Sequence, residues 1–258
     1  MQPEKPEGGG GNVGRMDIYV GWSARAGEPT TWQHRRRRVS GWWQRATGPL
    51  IRRWMAKPRV TRMFGLRITV PVGVFPPRWF FSTKLVARTV RRLPLRGAAV
   101  LEVGCGSGTI SMVAAKGGAT VTAIDISPEA CAATRNNAAT NGLDLQVLES
   151  DLFAAVDGTF DIVVVTPPFF RHDPTTTLDH AFHAGSNFEY FHRLFADIGK
   201  HLHERSLCLV SLAEGCDPEI GRIAEAHGHT LVIERRWMEF LQYTYVFRLE
   251  PLSRAAAG

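Results

Sequence analysis

The chain has 258 residues, 44% of them hydrophobic, and a formal net charge of +7. That length suits one domain plus an extension, since domains run to roughly 100–200 residues. No apolar run approaches the roughly 20 residues needed to span a bilayer, and the opening Met1-Gln2-Pro3-Glu4-Lys5 with its glycine run lacks the basic-then-apolar pattern of a secretory leader. Cys105, Cys131, Cys208 and Cys216 form no C-x-x-C pair, which argues against a structural metal and for buried free thiols in a reducing cytoplasm.

The charge is unevenly distributed. Residues 1–96 hold 20 Lys+Arg and 4 Asp+Glu, so +16, whereas residues 97–258 hold 11 and 20, so −9. Such a split predicts a basic arm that meets an anionic partner or its own acidic domain. Residues 1–14 are Pro/Gly-rich and read as disordered; Met16 is an alternative start. The extension over 1–62 mixes arginine with tryptophan, in Trp32, Arg35-Arg36-Arg37-Arg38, Trp42-Trp43 and Arg52-Arg53-Trp54. Three readings stand: a nucleic-acid arm with Arg on phosphates and Trp on bases, a packed helical extension, or a disordered tail. A lead-in segment over 63–97 follows, with a short strand at Leu66–Pro71, a loop at Val74–Arg78 and a helix over Phe81–Leu93.

From residue 98 to 258 strand and helix patterns alternate. Strands are predicted near 99–103, 120–124, 145–148, 161–165, 206–212, 230–236 and 243–249, and helices near 108–116, 128–140, 187–203 and 217–227. This order predicts an α/β fold with a mostly parallel, Rossmann-like sheet covered on both faces. The last two strands share a short helix-free link and should be antiparallel. Phe188, Tyr190, Phe191, Leu194, Phe195 and Ile198 recur at helical spacing and are expected in the core.

The first strand runs into Gly104-Cys105-Gly106-Ser107-Gly108 and then a helix. A dinucleotide site would want its third glycine at position 109, where Thr stands, so a pyrophosphate loses support. The second strand ends in Asp125, placed to accept both hydroxyls of a ribose, with Ser127 left to cap the next helix. The third is followed by Asp151, at the sheet edge where open α/β folds place their ligands.

These elements, in this order, resemble the class I S-adenosylmethionine-dependent methyltransferases. Glu102 with Gly104, Gly106 and Gly108 matches their first motif, Asp125 their ribose-binding acid and Asp151 their adenine-contacting acid. The resemblance implies a seven-stranded sheet with an antiparallel C-terminal hairpin. It implies S-adenosylmethionine as donor and S-adenosylhomocysteine as product. It further implies a cofactor site made of Glu102, Gly104, Cys105, Gly106, Gly108, Asp125, Ile126, Asp151, Leu152 and Thr166. The segments Gly73–Arg78 and Ser82–Leu85 resemble the stretch that lies across the donor site in the same group.

After the fourth strand comes Thr166-Pro167-Pro168-Phe169-Phe170. It resembles the Asn-Pro-Pro-Tyr/Phe motif of methyltransferases acting on planar nitrogens, in nucleobases or in the glutamine side chain of release factors. By that resemblance Thr166, Pro167, Pro168 and Phe169 are the catalytic set. This chain departs from the motif at Thr166, whose single hydroxyl reaches less far than an amide. Downstream, Phe170, His172 and His183 are expected to bind the acceptor alongside Phe169. The histidines and Asp173 and Asp179 also offer a base or metal ligands, although no metal is expected. Trp237-Met238-Glu239-Phe240 and Tyr243 read as the loop of the last hairpin. The acceptor is then a nucleic-acid or protein component of translation, or a small molecule of a biosynthetic pathway.

Overall fold

The computed structural model describes residues 57–74, 77, 81–175, 179–214, 216–239 and 242–252. The expectations for residues 1–56, and those for Phe75, Pro76, Arg78 and Phe240, lie outside the described residues. Strand β1 (Arg59–Met63) turns back through Phe64 and Gly65 into β2 (Leu66–Val70), and the two form a separate antiparallel hairpin. β1 was not legible in the sequence, and the expected division between residues 62 and 63 falls inside it. The hairpin is held by two asparagines that act as a short surrogate strand. Asn137 accepts from the Thr69 N–H and donates to its carbonyl, both at 2.8 Å, and Asn141 does the same at Arg67, at 2.9 and 2.8 Å.

Helix α1 (Phe81–Val90) leads into β3 (Ala99–Val103), α2 (Thr109–Lys116), β4 (Thr120–Asp125), α3 (Pro128–Thr140), β5 (Gln146–Glu149) and β6 (Phe160–Val165). Then come α4 (Glu189–Asp197), β7 (Leu202–Ala213), α5 (Glu219–Ala226), β8 (His229–Glu239) and β9 (Gln242–Pro251). Ser127 caps α3, its hydroxyl accepting from the Ala130 N–H at 3.1 Å. The large sheet has the order β5-β4-β3-β6-β7-β9-β8. Strands β3 to β7 pair in parallel, and β9 is antiparallel to both neighbours. The expected fold class therefore holds. Among the described residues no helix is long and apolar enough to cross a membrane.

Two boundaries differ from expectation for physical reasons. The predicted helix over 187–203 ends at Asp197, passes through a 3-10 turn at Ile198–His201, and gives way to β7 four residues before the predicted strand. Pairing jumps from Phe160↔Leu202 to Ile162↔Leu207, so polar residues 203–206 bow out and mask the strand pattern. Ser206 closes the excursion by donating to the Phe160 carbonyl at 2.6 Å. The last hairpin is also longer than expected. Trp237, Met238 and Glu239 belong to β8 and Tyr243 to β9, where a loop was anticipated. A bulge between Ile233 and Arg235 shifts the register, which is why the alternation breaks there.

The sheet separates two cores. On one side β2 and α1–α3 bury Ile68, Val86 and Met112 against Val100, Ile162 and Val164. On the other, Phe188, Phe191, Leu194, Phe195 and Ile198 pack against Leu101, Val163 and Val165, as their spacing predicted. All four cysteines are free and buried.

Candidate active site

The site is built where β3, β4 and β6 end side by side. Beyond Val103 the N–H groups of Gly104 and Cys105 both donate to the Ile124 carbonyl at 2.9 Å, which ties the glycine turn to β4. Gly108 sits at φ +76, and a Cβ there would stand 2.7 Å from the Thr134 methyl, so α3 packs where any side chain would project. Gly104, at φ +78, lets the backbone pass the Thr166 carbonyl, 3.7 Å from where its Cβ would be. The Cys105 side chain is buried and accepts from the Thr134 hydroxyl at 3.4 Å, leaving only its backbone at the turn.

Glu102 is buried in β3. Its carboxyl Oε2 accepts from the Ser111 N–H at 2.7 Å and from the Ser111 hydroxyl. Burial pushes its pKa up to about 8. This geometry makes Glu102 the tie between β3 and α2, beneath the turn.

Asp125 stands at the end of β4. One carboxylate oxygen accepts from the Gly106 N–H at 2.9 Å and the other from the Ser127 N–H at 3.0 Å. Burial raises its pKa, against the pull of those two donors. A carboxylate has roughly four lone-pair sites, so each oxygen keeps an acceptor position for a diol. Ile126, 38% exposed, lies next to it. Asp151 follows β5 and is exposed, paired with Arg193 of α4 at 2.9 Å. Nothing in the sequence signals that pair, because its members are 42 residues apart. Leu152 is buried at φ +51, in a turn pinned by Ser150, which donates to the Leu152 carbonyl at 2.7 Å and accepts from the Ala155 N–H at 3.0 Å.

At the end of β6 the Thr166 hydroxyl donates to the Gly104 carbonyl at 3.3 Å. Pro167 and Pro168 are buried and Phe169 is half-buried. The N–H groups of Phe169 and Phe170 both donate to the Phe182 carbonyl, at 3.2 and 3.0 Å, and Phe170 bridges to His183, so the loop folds back on itself. Phe170 is 48% exposed, with its ring centroid 4.8 Å from that of Phe169 and 6.3 Å from that of His183. His172 meets His183 edge-on at 5.2 Å. The His183 Nδ1 atom is buried without a hydrogen-bond partner. The structure thus gathers Thr166, Phe169, Phe170, His172 and His183 in one loop cluster, on the sheet edge that also carries the glycine turn and Asp125. The sequence offered no sign that the Phe182 carbonyl would organise it.

The chain is 35% identical over 141 residues to the release factor glutamine methyltransferase of Deinococcus radiodurans, covering 48% of each chain. It is 44% identical over 98 residues to the ribosomal RNA small subunit methyltransferase C of Sodalis glossinidius, covering 37% of this chain and 27% of that one. The chain therefore spans half or less of the length of these curated relatives. The crystal structure of a ribosomal protein L11 methylase from Lactobacillus delbrueckii subsp. bulgaricus aligns with a TM-score of 0.51 at 25% identity, over 69% of this chain and 81% of that one. The model of the methyltransferase small domain family matches residues 66–205, from β2 through the glycine turn, Asp125 and the Thr-Pro-Pro-Phe loop into β7, and the chain belongs to that family.

Proposed function

We propose that this chain is an S-adenosylmethionine-dependent methyltransferase acting on a planar amino or amide nitrogen, in a nucleobase or a protein glutamine. The observation that carries the reading is the convergence of three strand ends: Asp125 bonded to the glycine turn, and Thr166 bonded to the same turn from the acceptor side. In this reading Gly104, Gly106, Gly108, Asp125, Ile126, Asp151 and Leu152 hold the donor, and Glu102 keeps their frame in place. S-adenosylmethionine supplies an activated methyl on a sulfonium. The chain's part is placement, which supplies most of the acceleration in an in-line transfer. The Thr166 hydroxyl and the backbone carbonyls of the Pro-Pro turn aim the acceptor's lone pair and stabilise the charge that develops on nitrogen. Phe169 and Phe170 offer faces for a planar acceptor. As the N–CH3 bond formed the S–CH3 bond would break, leaving S-adenosylhomocysteine, and the nitrogen would release its proton to solvent.

The acceptors named for the relatives, a release factor, ribosomal protein L11 and ribosomal RNA, support a partner in translation. The second reading, a small-molecule acceptor, draws on Thr166, which lacks the amide of the Asn-Pro-Pro motif. Residues 98–258 form the catalytic domain, the lead-in reaches back to Arg59, and the residues before it form the basic extension. The compartment we assign is the cytoplasm, where four buried thiols persist unoxidised. The test is transfer of a labelled methyl group from S-adenosylmethionine to ribosomal RNA, release factor and a small-metabolite extract in parallel. Label on a nitrogen, lost in Phe169→Ala, supports the assignment; label on carbon or oxygen overturns the nitrogen acceptor.

A further inference from the structure

Residues 57–96 contain ten Lys+Arg and no Asp or Glu. The structure lays the described residues of this segment on one side of the sheet, where β2 and α1 share a core with α2 and α3. Within the hairpin, Arg62 and Arg67 stand directly opposite one another on adjacent strands, and both are exposed. Like charges in that position destabilise a strand pair. Arg91 and Arg92 are exposed just after α1, and Arg88 places its guanidinium 5.6 Å from the ring centroid of Trp237, which is 50% exposed. Trp237 pairs with Thr244, which also pairs with Ala213 at the end of β7. That level lies three residues beyond the Val165↔Val210 pair, on the edge where Thr166 begins the acceptor loop. The opposite side of the sheet is different: α4 and α5 carry Glu189, Asp197, Glu219 and Glu225 against Arg193 and Arg222.

We propose that the β1–β2 hairpin, α1 and the Trp237 tip form a binding surface for an RNA strand with unpaired bases. The guanidinium groups would meet successive phosphates, which also explains why Arg62 and Arg67 face each other without an acid between them. An indole with an arginine against it is a stacking platform for an unpaired base, at the level where the strand would pass toward the acceptor loop. The acidic far side repels a polyanion and so steers it to this face. The inference rests on the methyltransferase reading and deepens it by choosing RNA as the partner.

The test is fluorescence anisotropy of the full chain with a labelled single-stranded RNA of about 20 nucleotides, titrated across salt. Phosphate contact predicts that log affinity falls linearly with log salt, with about 0.7 of slope lost per contact removed. Arg62→Glu with Arg67→Glu should weaken binding at least about tenfold and lower the slope by about 1.4. Arg62→Glu alone should also lose affinity while its thermal midpoint rises, because it turns a repulsive cross-strand pair into an attractive one. Arg91→Glu with Arg92→Glu should repeat the loss through residues outside the hairpin. Trp237→Ala should cost about tenfold with the slope unchanged. Binding equal to the unaltered chain in all these variants would place the RNA contact elsewhere and overturn the proposal. So would tighter binding to phosphatidylserine vesicles than to RNA, with the same residue dependence. Calorimetry with S-adenosylhomocysteine keeps the two readings apart. If the unaltered chain failed to bind it, the methyltransferase assignment would fall, whatever the RNA result.

Discussion

The two halves of the sheet hold their parts of the site by different means. In the half from β5 to β3, backbone groups do most of the positioning: N–H donors of the glycine turn to Ile124 and Asp125, and the closely packed Gly108. In the half from β6 to β8, side chains and long loops do it: the Thr166 hydroxyl, the Phe169–Phe170 pair, the His172–His183 contact and an extended hairpin. Backbone positioning leaves a strong mark on a sequence, because only glycine fits certain places and only a short acid fits the adjoining strand end. Side-chain positioning leaves a weaker mark, since several residue types can fill one role. The first half is thus held by geometry to a narrow choice of residues, and the second admits more than one residue type at each place.

The sharpest break of this comparison is Asp125→Ala. It would remove the proposed ribose acceptor and leave the Gly106 and Ser127 N–H groups without their partner. Hydrogen bonds to a charged group contribute about 1.5–3 kcal/mol each, so S-adenosylhomocysteine should bind at least about 100-fold more weakly in calorimetry. Unchanged affinity would remove Asp125 from the donor site.

Next in size is Thr166→Asn, which tests the other half alone. Turnover of the native acceptor should fall about tenfold or more, since an unpaired buried polar group costs about 1–3 kcal/mol. Donor affinity should stay within about twofold. A fall in donor affinity as large as that in turnover would show that the two halves are not separable.

A smaller effect should follow from Glu102→Gln. Glu102 is protonated in the folded chain up to about pH 8 and has an ordinary carboxyl value near 4.5 when exposed. A raised acid contributes stability that is fully present below the unfolded value and is lost as pH rises through the folded one. The unaltered chain should therefore lose stability from about pH 4.5 to 8, and the glutamine variant should show a flatter profile in denaturant titrations. Equal slopes in the two proteins would show that Glu102 does not carry a raised pKa. The smallest effect belongs to Arg193→Ala, whose pair with Asp151 is exposed. Stability should change by less than about 1 kcal/mol, and only a loss well beyond that would make the pair a structural clamp.

Much of the frame was legible beforehand. The mostly parallel sheet, its antiparallel end and the core stripe of α4 follow from alternation, link length and helical spacing. What escaped shares one cause: partners distant in sequence. β1 is too short and too charged to read as a strand until Asn137 and Asn141 fix its neighbour β2. Asp151 looked unencumbered until Arg193 was brought to it by α4. Residues 203–206 hid the start of β7 because their polar groups serve Phe160 and Asp161 across the strand gap.

The bulge in β8 has a consequence for the molecule among its neighbours. β8 is the outermost strand of the sheet and spans 11 residues, long enough for its outer row of amide and carbonyl groups to template a strand from another copy. The register shift between Ile233 and Arg235 interrupts that row at its middle, and Glu234, Arg235 and Arg236 set charge on both faces around the break. Increased local twist and clustered charge are the means by which sheets resist edge-to-edge growth. Among the described residues no strand pairs with the outer side of β8, and the bulge just before the exposed Trp237 works against strand addition there.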